Sequence, residues 1–168
     1  MHFKKDLGSN STAGSKGDDK VKIALAADHA GFSLKEVARK FLEGEGFTVR
    51  DFGTFSEDPV DYPDLAVQAA RAVQQGECAR GILFCGTGVG VAIAANKLKG
   101  IRAACCADCY TAACAREHNN ANILTLGSRV TGPGLALRII AAFLQASFAG
   151  GRHRARIEKI KALEETQR

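Results

Sequence analysis

GILFCGTGVGVAIAAN, residues 81–96, decides the fold. Its opening Ile82-Leu83-Phe84 is an unbroken apolar run of the kind that fills a buried parallel strand. Gly86, Gly88 and Gly90 follow at alternate positions, and then comes an alanine-rich segment that reads as a helix. A strand, a glycine turn and a helix start together present backbone N–H groups and the positive end of the helix dipole, an arrangement suited to anions. Cys85 stands at the mouth of that turn. A helix N-terminus lowers a thiol's pKa from about 8.5, so this stretch sets a base or nucleophile beside a cradle for developing negative charge. The loop is not a dinucleotide fingerprint. G-x-G-x-x-G counted from Gly86 requires glycine at position 91, where Val91 stands, and no G-x-x-x-x-G-K-[ST] occurs. A small phosphorylated molecule fits the loop better than a nucleotide.

On either side of this stretch, apolar runs alternate with helical spacing. Residues 21–27, 47–52, 101–106 and 122–126 read as further strands, and residues 32–43, 65–73, 110–117, 135–148 and 154–165 as further helices. In the first helix Phe32, Val37, Phe41 and Leu42 are expected to share the buried face, and Gly44 and Gly46 end it. Gly132-Pro133-Gly134 mark the start of the helix that follows the last strand. Strands alternating with helices predict one doubly wound, Rossmann-like α/β domain over residues 21–168, with a five-stranded, mostly parallel sheet and a C-terminal helical extension. Residues 1–20 are polar, rich in Ser, Gly, Lys and Asp, and lack periodicity, so they are expected to be a disordered extension or a segment added in cloning.

Composition narrows the function. The chain has 168 residues, 46% of them hydrophobic, enough for one domain with a real core. Its formal charge of +5 is modest. With no basic stripe interleaved with aromatics, no Trp and only two Tyr, nucleic acid is not an expected partner. No apolar run approaches the ~20 residues of a membrane span, and no signal peptide is visible. Six cysteines without a secretion signal point to reduced thiols and a cytoplasmic protein. Cys106 and Cys109 form a C-x-x-C with Cys114 and His118 beyond it. Ligands from one helix and its leading strand would close a tetrahedral zinc site poorly, and no second C-x-x-C exists, so no metal is expected. No thioredoxin-like context surrounds the pair either, and Cys78 looks incidental.

In an open α/β sheet, ligands bind beyond the carboxyl ends of the strands. There the sequence places Asp28-His29, Cys85-Gly86-Thr87-Gly88, Asp108 and Gly127-Ser128-Arg129. Each has a plainer reading. Asp28 caps the next helix, His29 is a satisfied polar residue, Cys85 is a small buried hydrophobe, and Thr87 is an N-cap. His118 equally reads as a helix C-cap. Arg152 and Arg156 are four apart on one face of the last helix, with Arg154 pointing elsewhere. Two such guanidiniums suit a phosphate, although a solvated basic helix alone would explain them.

Taken together, ADHAGFSLK (27–35), VDYPDLA (60–66), GILFCGTGVGVAIAANK (81–97), GIRAA (100–104), REHNNAN (116–122), GSRV (127–130) and GGRHRAR (150–156) resemble the ribose-5-phosphate isomerase B family, which includes the galactose-6-phosphate and allose-6-phosphate isomerases. The resemblance runs from about Val21 to Ala162. It implies an aldose–ketose isomerase of the non-oxidative pentose phosphate pathway that acts through an enediolate, without metal or organic cofactor. On this resemblance Cys85 is the base that moves a proton between C1 and C2, while Thr87 and the backbone of Gly86, Gly88, Val89 and Gly90 hold the enediolate oxygen. His118 assists ring opening, Asn119 binds substrate, and Asp28 and His29 contact the ring oxygens and the phosphate end. Arg129, Arg152 and Arg156 bind the phosphate. The family also implies a homodimer or a dimer of dimers, each site being built from two chains. Two rival readings are the same chemistry on a six-carbon phosphosugar and a non-catalytic phosphosugar-binding subunit.

Overall fold

The computed structural model describes residues 20–166, so the expected extension lies, but for Lys20, outside the described residues. The elements run β1 (Lys22–Ala27), α1 (Phe32–Gly44), β2 (Thr48–Asp51), α2 (Tyr62–Gln74), β3 (Arg80–Cys85), α3 (Val89–Ala95), β4 (Ala103–Cys105), α4 (Cys109–Glu117), β5 (Ile123–Gly127), α5 (Pro133–Gln145) and α6 (Arg152–Thr166). The expected alternation is present, with boundaries that move for local reasons. α2 begins at Tyr62, within the expected loop, because Pro63 fits the first turn of a helix and Asp64 complements its dipole. β4 keeps only three residues.

The sheet is parallel throughout, in the order β2-β1-β3-β5-β4. The chain moves one way from β1 to β2 and the other way from β1 to β3, so the switch point lies between β1 and β3. β5 inserts between β3 and β4 and leaves β4 at the edge. Along β1 successive side chains enter different layers, as the pleat requires. Ile23, Leu25 and Ala27 pack with Leu34 and Leu42 of α1, Ala112 of α4 and Phe143 of α5. Ala24 and Ala26 pack with the alanines of α2 and with Val91 and Ala95 of α3. The small residues on that second face let α2 and α3 lie close to the strands, and α3 presents the start of its first turn to the end of β3.

α1 differs in detail from its expected face. Leu34, Ala38 and Leu42 are buried at four-residue spacing, whereas Phe32, Val37 and Phe41 are only half-buried. Lys35 joins the buried set with a fully enclosed side chain. Its ammonium pairs with Asp51 and with Glu36, the latter at 3.2 Å, and lies 5.6 and 5.1 Å from the ring centroids of Phe32 and Phe55. Asp51 in turn accepts the Gly53 N–H at 2.9 Å. The Ala27 N–H donates to the Gly53 carbonyl and the Thr54 N–H to the Ala27 carbonyl, both at 2.7 Å. Lys35 therefore ties α1 to the loop that flanks the carboxyl end of β1. Lys35→Ala would leave Asp51 partly buried without its partner, and is expected to cost about 3–5 kcal/mol by urea denaturation.

α6 lies against the domain through buried His153 and Ile157 and through the Gly100 N–H, which donates to Glu164 at 2.9 Å. Between α6 and the β4 edge runs a cavity of about 430 Å³ lined by Ile101, Arg102, Asn119, Ile160 and Leu163, among others. No helix among the described residues is long and apolar enough to cross a membrane.

Candidate active site

The carboxyl end of the sheet is organised by the glycine loop. Cys85 is 5% exposed, and its Sγ accepts the Gly88 N–H at 3.1 Å. The sulfur is thus buried as a small hydrophobe would be, but it also faces a backbone donor in the turn that starts α3. Gly88, not Thr87, is the N-cap of α3, with φ +80°. Thr87 is exposed, and its Oγ1 accepts the Val89 N–H at 3.3 Å. That turn bond leaves the hydroxyl hydrogen free to donate to a ligand.

Neighbouring strands hold this loop in place. Ser128 N–H and Arg129 N–H donate to the carbonyls of Cys85 and Gly86 at 2.9 and 3.0 Å. Thr125, fully buried, donates its hydroxyl to the Gly88 carbonyl at 2.8 Å. The Ser128 hydroxyl reaches the Ala30 carbonyl at 2.6 Å, joining the loops after β1 and β5. Arg129 lays its side chain over Gly86, and the Tyr62 ring lies over Gly90. Gly127 makes the closest approach: a Cβ there would sit 2.6 Å from the Thr87 backbone carbon. Gly127→Ala must therefore displace the glycine loop. It is expected to cost about 1–3 kcal/mol, as overpacking does, and to lower turnover, checked by thermal denaturation and steady-state kinetics.

Asp28 and His29 end β1 at the same edge. Asp28 is buried and its Oδ1 accepts the Gly31 N–H at 2.9 Å. It does not cap α1, whose N-cap is Gly31 without a side-chain bond. Instead it fixes the turn leading into that helix. His29 Nδ1 accepts the Val60 N–H at 3.3 Å, so the neutral ring carries its proton on Nε2 and has a donor to offer a ligand. Asp108, at the end of edge strand β4, stands apart from this group as the cap of α4. It accepts the Thr111 N–H and hydroxyl, both at 2.8 Å, and those bonds hold its carboxyl below the usual range.

The remaining candidates lie at the other end of the molecule. α4 crosses back from β4 to the start of β5, so His118 and Asn119 sit at the amino edge of the sheet. There Asn122 accepts the Gly81 N–H at 3.0 Å. The Ala149 N–H donates to the Glu117 carbonyl at 2.9 Å, bringing the start of α6 to the same place. His118 is the C-cap of α4, as its plainer reading had it. Its ring stacks on His153 with centroids 4.4 Å apart and planes 5° from parallel. Burial, followed by the nearby His118, Arg152 and Arg156, pushes the His153 pKa down. Arg152 and Arg156 are exposed beside this stack and make no ion pair among the described residues.

One chain therefore groups Asp28, His29, Cys85, Gly86–Gly90 and Arg129 at one end, and His118, Asn119, Arg152 and Arg156 at the other. β3 and β5 pair from Gly81↔Ile123 to Cys85↔Gly127. That span is ~13 Å of strand at about 3.3 Å per residue, before the loops are added. Sequence reasoning missed Tyr62, Thr125 and His153. Tyr62 and His153 stand inside the motifs VDYPDLA and GGRHRAR, and His153 shares its helical spacing with buried Ile157, which was the available signal. Thr125 gave none.

The profile of the Ribose/Galactose Isomerase family matches residues 23–160, across both groups of residues. The chain belongs to this family. It is 50% identical over 144 residues to ribose-5-phosphate isomerase B of Escherichia coli, covering 86% of this chain and 97% of that one. Among solved structures, ribose-5-phosphate isomerase B of Clostridium thermocellum superposes with a TM-score of 0.87 at 51% identity, over 88% of this chain and all of that one. The Mycoplasma genitalium ribose-5-phosphate isomerase B, solved with bound ribulose 5-phosphate, gives 0.83 at 43% identity, over 88% of this chain and 98% of that one.

Proposed function

We propose that this protein interconverts ribose 5-phosphate and ribulose 5-phosphate through an enediolate, in the cytoplasm and as part of the non-oxidative pentose phosphate pathway. The observation that carries this reading is the Gly88 N–H aimed at the Cys85 sulfur inside a glycine loop, in a chain half identical to a named ribose-5-phosphate isomerase. Cys85 as thiolate removes the proton from C2 of the opened aldose. The electron pair moves into an enediol double bond, and the carbonyl oxygen at C1 takes up the charge. The proton of the C2 hydroxyl passes to the oxygen on C1, and the same sulfur returns its proton to C1, leaving the ketone at C2. Amides of the Gly86–Gly90 loop, with the Thr87 hydroxyl, hold the charged oxygen, an effect that in other enzymes is worth several kcal/mol. No electrons enter or leave, so this proton shuttle calls for no redox cofactor.

The active site is formed between two chains. One supplies Asp28, His29, Cys85, the glycine loop and Arg129. The other supplies His118 to assist ring opening, Asn119 to bind the sugar, and Arg152 and Arg156 to bind phosphate together with His29 and Arg129. The opposite placement of the two groups in one chain supports this assignment, since a homodimer offers a simple way for them to meet. Assays of the purified protein on ribose 5-phosphate, allose 6-phosphate and galactose 6-phosphate test the substrate. The five-carbon sugar is expected to give the highest kcat/KM, and a higher value on either six-carbon sugar overturns the choice.

A further inference from the structure

We propose that Cys114, Glu117 and His118 form a binding site for a soft divalent cation such as Zn²⁺, whose occupation takes the His118 imidazole out of use. Cys114 and Glu117 lie in the last turn of α4 and His118 is its C-cap, at spacings that place the three on one face. A sulfur, a carboxylate oxygen and an imidazole nitrogen from them lie within 4.8 Å of one another. Zinc holds such ligands at about 2.0–2.3 Å, which in a tetrahedron sets them roughly 3.3–3.8 Å apart. At most about 1 Å separates the widest pair from the upper end of that spacing.

The side chains of Glu117 and His118 are engaged in no hydrogen bond or ion pair among the described residues, while the Cys114 sulfur meets the Tyr110 hydroxyl. The set of S, O and N donors suits zinc and not the oxygen-seeking Mg²⁺ or Ca²⁺. This is not the C-x-x-C arrangement considered from the sequence. Cys106 is buried, its thiol is pushed up to about 11 by burial, and neither it nor Cys109 joins the cluster. His153 is not a fourth ligand either. Its ring is stacked 5° from parallel on His118, so the nitrogen lone pairs of the two rings lie in parallel planes and do not converge on one ion. His153 instead holds the His118 ring in place, and the fourth position is left to water. On binding, Cys114 loses its proton to solvent and its sulfur lone pair forms the bond to the metal. Occupation then competes with the proton-transfer role of His118. This inhibitory consequence rests on the isomerase reading; the binding itself does not.

Co²⁺ added to the purified full-length protein is expected to give the near-ultraviolet thiolate-to-cobalt absorption. Cys114→Ser should abolish that band and Cys85→Ser should retain it. A band that survives Cys114→Ser, or is lost in Cys85→Ser, overturns the site. In the isomerase assay, Zn²⁺ is expected to inhibit the wild type. Cys114→Ser should keep its basal activity and need about tenfold more Zn²⁺ or beyond, the scale on which even outer-shell changes weaken metal sites. Equal sensitivity in the two proteins overturns the inhibitory role. Should the protein prove inactive on sugar phosphates, the cobalt spectrum still decides the binding.

Discussion

Cys85→Ser is expected to lower isomerase turnover by about 10²–10⁴-fold, the range attributed to a positioned general base. Serine keeps the size of the side chain and can still accept the Gly88 N–H, so the loop loses little of its structure. What it lacks is accessible basicity. An alkoxide is far less available near neutral pH than a thiolate, and removing the C2 proton needs a base in the deprotonated state. Phosphate recognition is assigned to His29, Arg129, Arg152 and Arg156, whereas the hydrogen bond to the sulfur comes from the Gly88 N–H. Ribulose 5-phosphate should therefore bind the variant about as well as the wild type, and the loss should appear in kcat with KM nearly unchanged. Stopped assays for kcat, with calorimetric titration for binding, separate the two quantities. Turnover within a few-fold of wild type would remove Cys85 from the base role. A matching loss of binding would mean that serine disturbed the loop itself.

The architecture was largely legible because each of its signals is local. The apolar run Ile82-Leu83-Phe84, the glycines after it and the helical spacing beyond Phe32 identify elements without knowledge of their neighbours. Spatial order is not local. β5 lies beside β3 and pushes β4 to the edge, and nothing in the order of segments along the chain says so. This one exchange explains why Arg129 and Ser128 meet the glycine loop. It also explains why Asp108, placed by the sequence with the same group, is a helix cap at the margin. The face of α1 was misread for a related reason. Lys35 would be scored as solvated from its type, yet Asp51 and Glu36 on its neighbours neutralise it and allow full burial. Thr125 was unreadable because its role depends on the carbonyl of a loop 37 residues earlier in the chain.

The division of the candidate site between two ends of the chain leads to the second large effect. In a homodimer that pairs the carboxyl end of one sheet with the amino end of the other, Cys85 and His118 of one catalytic centre belong to different chains. Cys85→Ser and His118→Asn should each be close to inactive as pure proteins. In a mixed dimer, one centre carries both lesions and the other carries neither. Random reassortment of equal amounts makes half the dimers mixed, each with one intact centre of two. Activity should therefore recover to about one quarter of wild type. Co-expression with two affinity tags, or joint denaturation and refolding, supplies the mixture, and the purified mixed dimer alone should reach about one half. A centre contained within one chain gives a different result, because every centre in the mixture would then keep one lesion and no activity would return. This outcome does not depend on the identity of the sugar, and it tests directly whether the His118–His153 stack and the glycine loop meet across an interface.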